Sequence, residues 1–559
     1  MTNTWWSGAV VYQVYPRSFF DSNSDGIGDL AGVQAKLPYL KSLGVDAIWL
    51  SPFYPSPMCD SGYDISNPRD VDPSLGTLND FDSLIAHAHE TSIRVIVDVV
   101  PNHVSREHKW FHEALASPPN NKERKRFHFR DGTSDGPPNN WISVFGGPAW
   151  TQVTEPDGTP GQWYLHLFDS GQPDVNWTNQ EVIDDFDATL RFWLDRGVDG
   201  FRVDVALALA KDMSYANREQ PQKLVDAIRL DLYDPENPEA SREVREFLID
   251  SPIFDRDEVH DYLRHWREIL GSYQGDRFAV AEAWAYPTER AMEYARSLGQ
   301  VFNFDFMVVP FNAETLHVTA KRIITNAIEF HASPTWVLSN HDNARVATRY
   351  GGGAEGLAKA RAMALVCATL PGSMYIYQGD ELGLGDGFVP PESRIDPIWQ
   401  RSGQTNPGRD GCRVPIPWQS QEANFGFSTA DKLWIPQDAS WTPIAADLQE
   451  SDPHSTLNLY RQMLTLRHDH PAWNDSMAAT DLTLDGSLWF IERAHHVICV
   501  LNSGSETVAI DVEGRVLIAS NPEAQEWEDL ASQTHMVSLP ANSAVIIEKN
   551  SQPNPQVEI

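Results

Sequence analysis

Three acidic residues each close an apolar run. Asp204 ends Gly200-Phe-Arg-Val-Asp204, Glu282 follows Phe278-Ala-Val-Ala281, and Asp342 ends Ser339-Asn-His-Asp342. A carboxylate at the end of a buried run costs free energy unless it has a partner or a task. Two carboxyl groups with different protonation, one to attack an anomeric carbon and one to protonate a leaving oxygen, are what glycoside cleavage needs. Arg202 stands two residues before Asp204. Residues i and i+2 of a strand share a face, so its guanidinium is expected to lower the Asp204 pKa and keep that group an ionised nucleophile. Glu282 lies among Ala281, Ala283 and Trp284, surroundings that suit the acid. One such acid alone reads as structural; three of them with Arg202, His103 and His341 read as a site.

Something must bring these distant residues together. Apolar runs near 10–19, 47–52, 94–102, 200–206, 278–284, 302–307, 336–340 and 373–378 read as parallel strands buried on both faces. Helical patterns fall between them, at 30–43, 78–91, 181–196 and 355–370. Eight strands alternating with helices predict an α/β fold, a (β/α)8 TIM barrel, whose C-terminal strand ends converge on one mouth. Two connections are too long for simple loops. The stretch 104–170 reads as an inserted domain, and 211–272 as a charged helical insertion with its clearest helix at 257–270. The barrel is then 1–103 with 171–474. After 475 short alternating segments at 488–492, 497–502, 507–512, 516–519 and 544–548 predict a C-terminal antiparallel β-sandwich through 559, with a polar tail from Asn550.

Composition bounds the partners. The 559 residues carry 43 basic and 78 acidic side chains, a net charge of −35, which disfavours nucleic acid and anionic membranes and is neutral toward an uncharged ligand. Aromatic residues make up 11 % of the chain, with 19 Trp, as suits stacking on sugar rings. The four cysteines, Cys59, Cys367, Cys412 and Cys499, are far apart and form no paired motif, which predicts reduced thiols in a cytoplasmic protein. No signal peptide, membrane span or organic cofactor is expected, and the assembly is a monomer or homodimer.

The segments Val99-Val-Pro-Asn-His103, Gly200-Phe-Arg-Val-Asp204, Ala281-Glu-Ala-Trp284 and Ser339-Asn-His-Asp342 together resemble, in order and spacing, the four signature segments of the α-amylase family, glycoside hydrolase family 13. The resemblance spans nearly the whole chain. It implies Asp204 as nucleophile, Glu282 as acid/base, Asp342 as transition-state stabiliser, and His103, Arg202 and His341 as ligands of the glucose in the −1 subsite. Gln172-Pro-Asp-Val-Asn-Trp177 is similar to the segment marking the α-glucosidase and oligo-1,6-glucosidase branch, and Gly408-Arg-Asp-Gly-Cys-Arg-Val-Pro-Ile-Pro-Trp418 looks like a further segment of that branch, with Val414 where Thr is usual. That branch clamps the non-reducing glucose between an Asp and an Arg. The resemblance assigns these to Asp64 and Arg409, with Arg413 as second choice, Tyr63 as a stacking platform and Phe168 beside them. The implied activity is that of an exo-acting retaining α-glucosidase on maltose-like substrates. An oligo-1,6-glucosidase, toward which Val205 points, and a sucrose- or trehalose-acting enzyme are the alternatives.

Asp21-Ser-Asn-Ser-Asp-Gly-Ile-Gly-Asp29 begins like an EF-hand loop but has Gly32 at the twelfth position. By spacing alone such a loop is more often a plain turn than a metal site. Similar loops in the branch hold one structural Ca²⁺ or Mg²⁺, which implies Asp21, Asn23, Asp25 and Asp29 with the Ile27 carbonyl as ligands. His87-Ala-His89 is not a metal pair, because i and i+2 point apart on a helix. Gly351-Gly-Gly353 lacks the Lys-Ser/Thr partner of a phosphate cradle. A transporter-associated relative would have a membrane segment and have lost its acids, and a pure sugar-binding module would not need Glu282 beside Asp204.

Overall fold

The computed structural model describes residues 4–227, 243, 245–511, 514–529 and 534–550. Part of the 211–272 insertion, Val512 and the tail beyond Asn550 lie outside the described residues.

Eight parallel strands form one sheet: β1 Val10–Val14, β2 Ala47–Leu50, β3 Arg94–Val99, β4 Gly200–Val203, β5 Phe278–Ala281, β6 Gly299–Val301, β7 Thr335–Val337 and β8 Ser373–Tyr377. Their order is β7-β8-β1-β2-β3-β4-β5-β6. This is a barrel whose backbone ladder runs from β7 round to β6. The remaining seam is closed by side chains. Thr335 Oγ1 donates to the Val301 carbonyl at 2.9 Å, and Asn303 donates through its backbone N–H to Thr335 Oγ1 at 3.1 Å and through Nδ2 to the Thr335 carbonyl at 3.1 Å.

The sequence pattern misplaces the sixth strand. The run at 302–307 is not extended. Asn303 precedes the helix Phe304–Val308, and the strand is the short, partly polar Gly299–Val301. The helix expected over 30–43 is also two pieces, Leu30–Ala35 and Leu37–Leu43. Pro38 has no N–H to donate back across the junction, so the chain breaks at Lys36 and restarts with proline in the first turn. The other expected helices are present as Leu78–Glu90, Gln180–Asp195, Val259–Gly271 and Gly353–Thr369.

After β3, the strands Phe129–Arg130, Trp150–Thr154 and Pro160–Leu165 make a small antiparallel sheet. It is anchored on the segment after β4 by a cage of Trp141, Trp150 and Tyr215. At the C-terminus a five-stranded and a three-stranded antiparallel sheet pack around Leu488, Val500, Ile510, Val537 and Val545. Arg493 fastens this unit to the barrel by donating to the carbonyls of Thr369, Ala472, Asp475 and Ser476. Among the described residues no helix is long and apolar enough to cross a membrane.

Candidate active site

Parallel register sets Asp98 of β3 beside Arg202 of β4, and Arg202 beside Val280 of β5. Apart from Arg94 at the start of β3, each of these strands is buried along its length. A charged pair at matched positions on adjacent strands therefore projects to the same side, toward the mouth. Arg202 is 1 % exposed. Its Nη1 donates to Asp204 Oδ1 at 2.6 Å and to Asp98 Oδ1 at 3.3 Å, and its Nη2 donates to Glu282 Oε2 at 2.5 Å. One guanidinium thus joins three carboxylates, including both members of the expected catalytic pair.

The turn after Asp204 is strained. Val205 has φ +40° and ψ 45°, a left-handed conformation that a β-branched residue rarely adopts. The conformation aims the Val205 N–H at Glu282 Oε2, 3.1 Å away, while the Ala206 N–H donates to the Glu282 carbonyl at 2.9 Å. Glu282 Oε2 therefore receives two donors, and among the described residues none donates to Oε1.

Burial raises the Asp204 carboxyl well above its ordinary range; Arg202 opposes this, and the negative charges of Glu282, Asp98 and Asp342 add to the upward push. The expectation of a net depression from Arg202 does not hold, because burial outweighs that cation and the neighbouring carboxylates add to the upward push. Burial likewise lifts Asp98 to about 7 against the pull of Arg202.

Asp342 behaves oppositely. Burial would raise its pKa, but it is held well below the usual carboxylate range by the cations around it. Arg409 Nη1 and Arg413 Nη2 each donate to its Oδ1 at 2.9 Å. Burial pushes the His341 imidazole down to about 3, so it is neutral. His341 Nδ1 faces Gln13 Nε2 at 2.7 Å, Nε2 faces Tyr63 Oη at 2.6 Å, and its ring lies parallel to Tyr63 with centroids 5.3 Å apart. The 2.6 Å contact between near-parallel rings sets Tyr63 and His341 edge to edge, and the Tyr63 hydroxyl donates to Asp98 Oδ2 at 3.0 Å.

The clamp differs from expectation. Asp64 is fully buried, and its oxygens are taken by the Ser56 hydroxyl at 2.7 Å and the N–H groups of Cys59 and Asp60 at 2.9 and 3.1 Å. It braces its own loop. The acid against Arg409 is Asp60, whose Oδ1 accepts from Nη2 at 2.8 Å. The Arg409 Nε donates to Asp396 Oδ2 at 2.6 Å, so three carboxylates hold this side chain across the site. Arg413, fully buried, also donates to the His341 carbonyl at 2.7 Å and to Ser61 Oγ at 2.9 Å. His103 follows β3. Its Nε2 lies 3.2 Å from the Tyr63 carbonyl and 3.0 Å from Gln172 Nε2, and that amide donates to Asp60 Oδ2 at 3.2 Å. Phe168 packs its ring on His103 at 5.3 Å and on Phe145 at 5.7 Å. Outside Asp342 and Arg409 a cleft of about 1200 Å³ opens, lined by Phe145, Trp284, Phe311 and Phe388.

Asp98, Asp60, Asp396 and Gln172 are site residues that sequence reasoning missed. Asp98 had a signal: it is the one charge inside Val95-Ile-Val-Asp-Val-Val100.

The glycine-rich loop at 21–29 stands apart from this site. Gly26, the sixth position, has φ +91° and donates to Asp21 Oδ2 at 2.8 Å, the sharp turn that cation loops of this kind use. Asp21 Oδ1 also accepts from the N–H groups of Asn23 and Ser24, Asp25 Oδ1 from Ile27, and Asp29 from Ser22 and Gly32. Among the described residues no three acidic, histidine or cysteine side chains converge as a ready-made metal cluster. A cation would draw the loop carboxylates off the loop's own N–H groups.

The model of the alpha amylase catalytic domain matches residues 13–476. A probable alpha-glucosidase of Rhizobium meliloti is 38 % identical over 96 % of both chains, and an oligo-1,6-glucosidase of Parageobacillus thermoglucosidasius is 34 % identical over 84 % of both. Among solved structures, the alpha-glucosyl transfer enzyme XgtA superposes with a TM-score of 0.82 at 34 % identity, covering 98 % of this chain and 100 % of that one. The trehalulose synthase MutB of Pseudomonas mesoacidophila does so with 0.84 at 31 %, over 98 % and 100 %.

Proposed function

The chain belongs to the alpha-amylase family, and from that premise we propose that it is an exo-acting, retaining α-glucosidase that releases glucose from the non-reducing end of short α-glucosides. The observation that carries the reading is Arg202 bridging Asp204 and Glu282 by its two terminal nitrogens. Carboxyls joined by one guanidinium fit the about 5–5.5 Å spacing of a retaining pair better than the roughly 6.5–9.5 Å of an inverting one.

Asp204 reacts in its ionised form, with Arg202 donating to its Oδ1, and attacks C1 while Glu282 gives a proton to the glycosidic oxygen. The C1–O bond breaks, the aglycone leaves as an alcohol, and a β-glucosyl ester remains on Asp204. Glu282, now a carboxylate, takes a proton from water as that water attacks C1. α-Glucose and the Asp204 carboxylate are restored. Asp342, kept ionised by Arg409 and Arg413, faces the positive charge that develops at the ring. Arg409, pinned by Asp60, Asp342 and Asp396, walls off the far end of the pocket, which favours attack at a chain end.

The relatives leave two further readings in view. Val205 next to Asp204, the residue that accompanies α-1,6 preference in this branch, and the likeness to an oligo-1,6-glucosidase support a share of α-1,6 cleavage. The likeness to a glucosyl transfer enzyme and a trehalulose synthase supports transfer to a sugar acceptor in place of water. All four cysteines are free, in keeping with a cytoplasmic enzyme. A structural Ca²⁺ or Mg²⁺ would be held by Asp21, Asn23, Asp25, Asp29 and the Ile27 carbonyl, all oxygen donors suited to a hard cation.

Proton NMR of reactions on maltose, isomaltose, sucrose and trehalose tests the reading. Early release of α-glucose from maltose supports it, and early release of β-glucose, or cleavage of none of the four, overturns it.

A further inference from the structure

Lys211 lies seven residues beyond Asp204 with its side chain fully removed from solvent. Its ammonium donates to Asn102 Oδ1 at 2.6 Å and to the Ala208 carbonyl, and forms an ion pair with Asp174 Oδ2 at 3.0 Å. It therefore ties together the end of β3, the return from the inserted domain and the loop after β4.

The consequence falls on His103. Both of its ring nitrogens face an amide NH₂: Asn102 Nδ2 is 3.0 Å from Nδ1, and Gln172 Nε2 is 3.0 Å from Nε2. Burial lowers the imidazole pKa to about 4, and a neutral ring has one acceptor nitrogen and one N–H. Only one of the two amides can donate to it. The Asn102 amide cannot turn, because its oxygen is held by Lys211 and its nitrogen donates also to Asp174 Oδ1 at 3.3 Å. The Gln172 amide is held as well, its oxygen accepting from the Asp169 N–H at 2.9 Å and its nitrogen donating to Asp60, so the Tyr63 carbonyl, which can only accept, decides between the two: Nδ1 is the acceptor. The proton sits on Nε2, where the Tyr63 carbonyl at 3.2 Å takes it on the side of the clamp.

We infer that Lys211 is a positioning residue which, by fixing the orientation of the Asn102 amide, keeps the His103 proton on Nε2, the nitrogen that donates to the bound glucose. The inference rests on reading His103 as a ligand of that glucose. Without the ammonium, Asn102 is free to turn its oxygen to Nδ1. The proton then moves to Nδ1, Nε2 becomes an acceptor for the Gln172 amide, and the donor toward the sugar is lost. Losing one such hydrogen bond weakens binding by about tenfold.

Three variants of the full chain, labelled with ¹⁵N in the histidine rings, test this. Lys211→Met paired with Asp174→Asn removes the ammonium without stranding a buried carboxylate. Asn102→Asp places an acceptor against Nδ1 while Lys211 stays. His103→Ala tests the underlying role. In the first two, His103 Nε2 is expected to change from a protonated to an unprotonated ¹⁵N signal, with KM for maltose up about tenfold and kcat changed much less. Folded first and second variants whose Nε2 signal stays protonated overturn the inference even when His103→Ala raises KM. If His103→Ala leaves KM unchanged, the reading of His103 as a glucose ligand falls instead. Should the double variant not fold, Asn102→Asp alone decides.

Discussion

Asp60 and Arg409 meet in a 2.8 Å ion pair that joins the loop after β2 to the segment after β8. Asp64, four residues on, makes no contact with Arg409 and is spent on loop N–H groups. The two aspartates should therefore fail differently. Asp60→Ala is expected to raise KM for maltose by about 10- to 100-fold, the loss of a charge-assisted hydrogen bond. Asp64→Ala is expected to leave KM near normal and to cost about 1–3 kcal/mol of stability through its unpaired N–H groups. Steady-state kinetics with urea unfolding reads both; the reverse pattern would return the clamp to Asp64.

Removing the nucleophile and removing the acid should also be distinguishable. Asp204→Ala is expected to be inactive on all glucosides, whereas Glu282→Ala should keep turnover of an activated aryl glucoside, whose leaving group needs no proton. Azide added to Glu282→Ala should give the α-glucosyl azide, and added to Asp204→Ala the β-azide. Identical azide products from both variants would sink the assignment of separate roles.

Asp98 carries a pH signature. Its folded pKa of about 7 lies above the unfolded value of 3.8, so the fold favours its protonated form. Its contribution to stability is full below about pH 4 and is lost as pH rises through about 7. Asp98→Asn removes that loss. Relative to the parent, the variant should gain stability between pH 5 and pH 8, on the order of 1–4 kcal/mol. Urea unfolding at the two pH values checks this, and a parent–variant difference that does not change with pH contradicts it.

The loop at 21–29 gives a thermal prediction. If it takes a cation, Ca²⁺ or Mg²⁺ at about a hundredfold over its dissociation constant adds ~2.7 kcal/mol and raises the melting temperature. Asp25→Ala should abolish the rise without touching kcat. Identical melting curves in chelator and in millimolar Ca²⁺ and Mg²⁺ would mean that the loop closes on its own N–H groups alone.

The barrel and the three acids were legible because strand ends with carboxylates stand out against apolar runs. Asp204, Glu282 and Asp342 could be picked without any contact information. What stayed hidden was set by local hydrogen bonding. Spacing cannot choose between Asp60 and Asp64 in Asp60-Ser-Gly-Tyr-Asp64; the Ser56 hydroxyl and two N–H groups make the choice. The sixth strand escaped notice because Gly299–Val301 is short and its central Gln300 is polar, while the more apolar run just after it coils into a helix. Charge sharing was hidden too: Arg202 looked like the private partner of Asp204, and only the register of β3 shows Asp98 drawing on the same guanidinium.

The seam between β6 and β7 bears on how the acids keep station. Glu282 follows β5 and Asp342 follows β7, so the short way round from one to the other crosses it. The backbone ladder links them only the long way, through six other pairings. On the short path, Thr335 and Asn303 carry the hydrogen bonds that cross the gap. The shorter connection between acid/base and stabiliser thus runs through two polar side chains of the barrel wall and not through a ladder of backbone bonds.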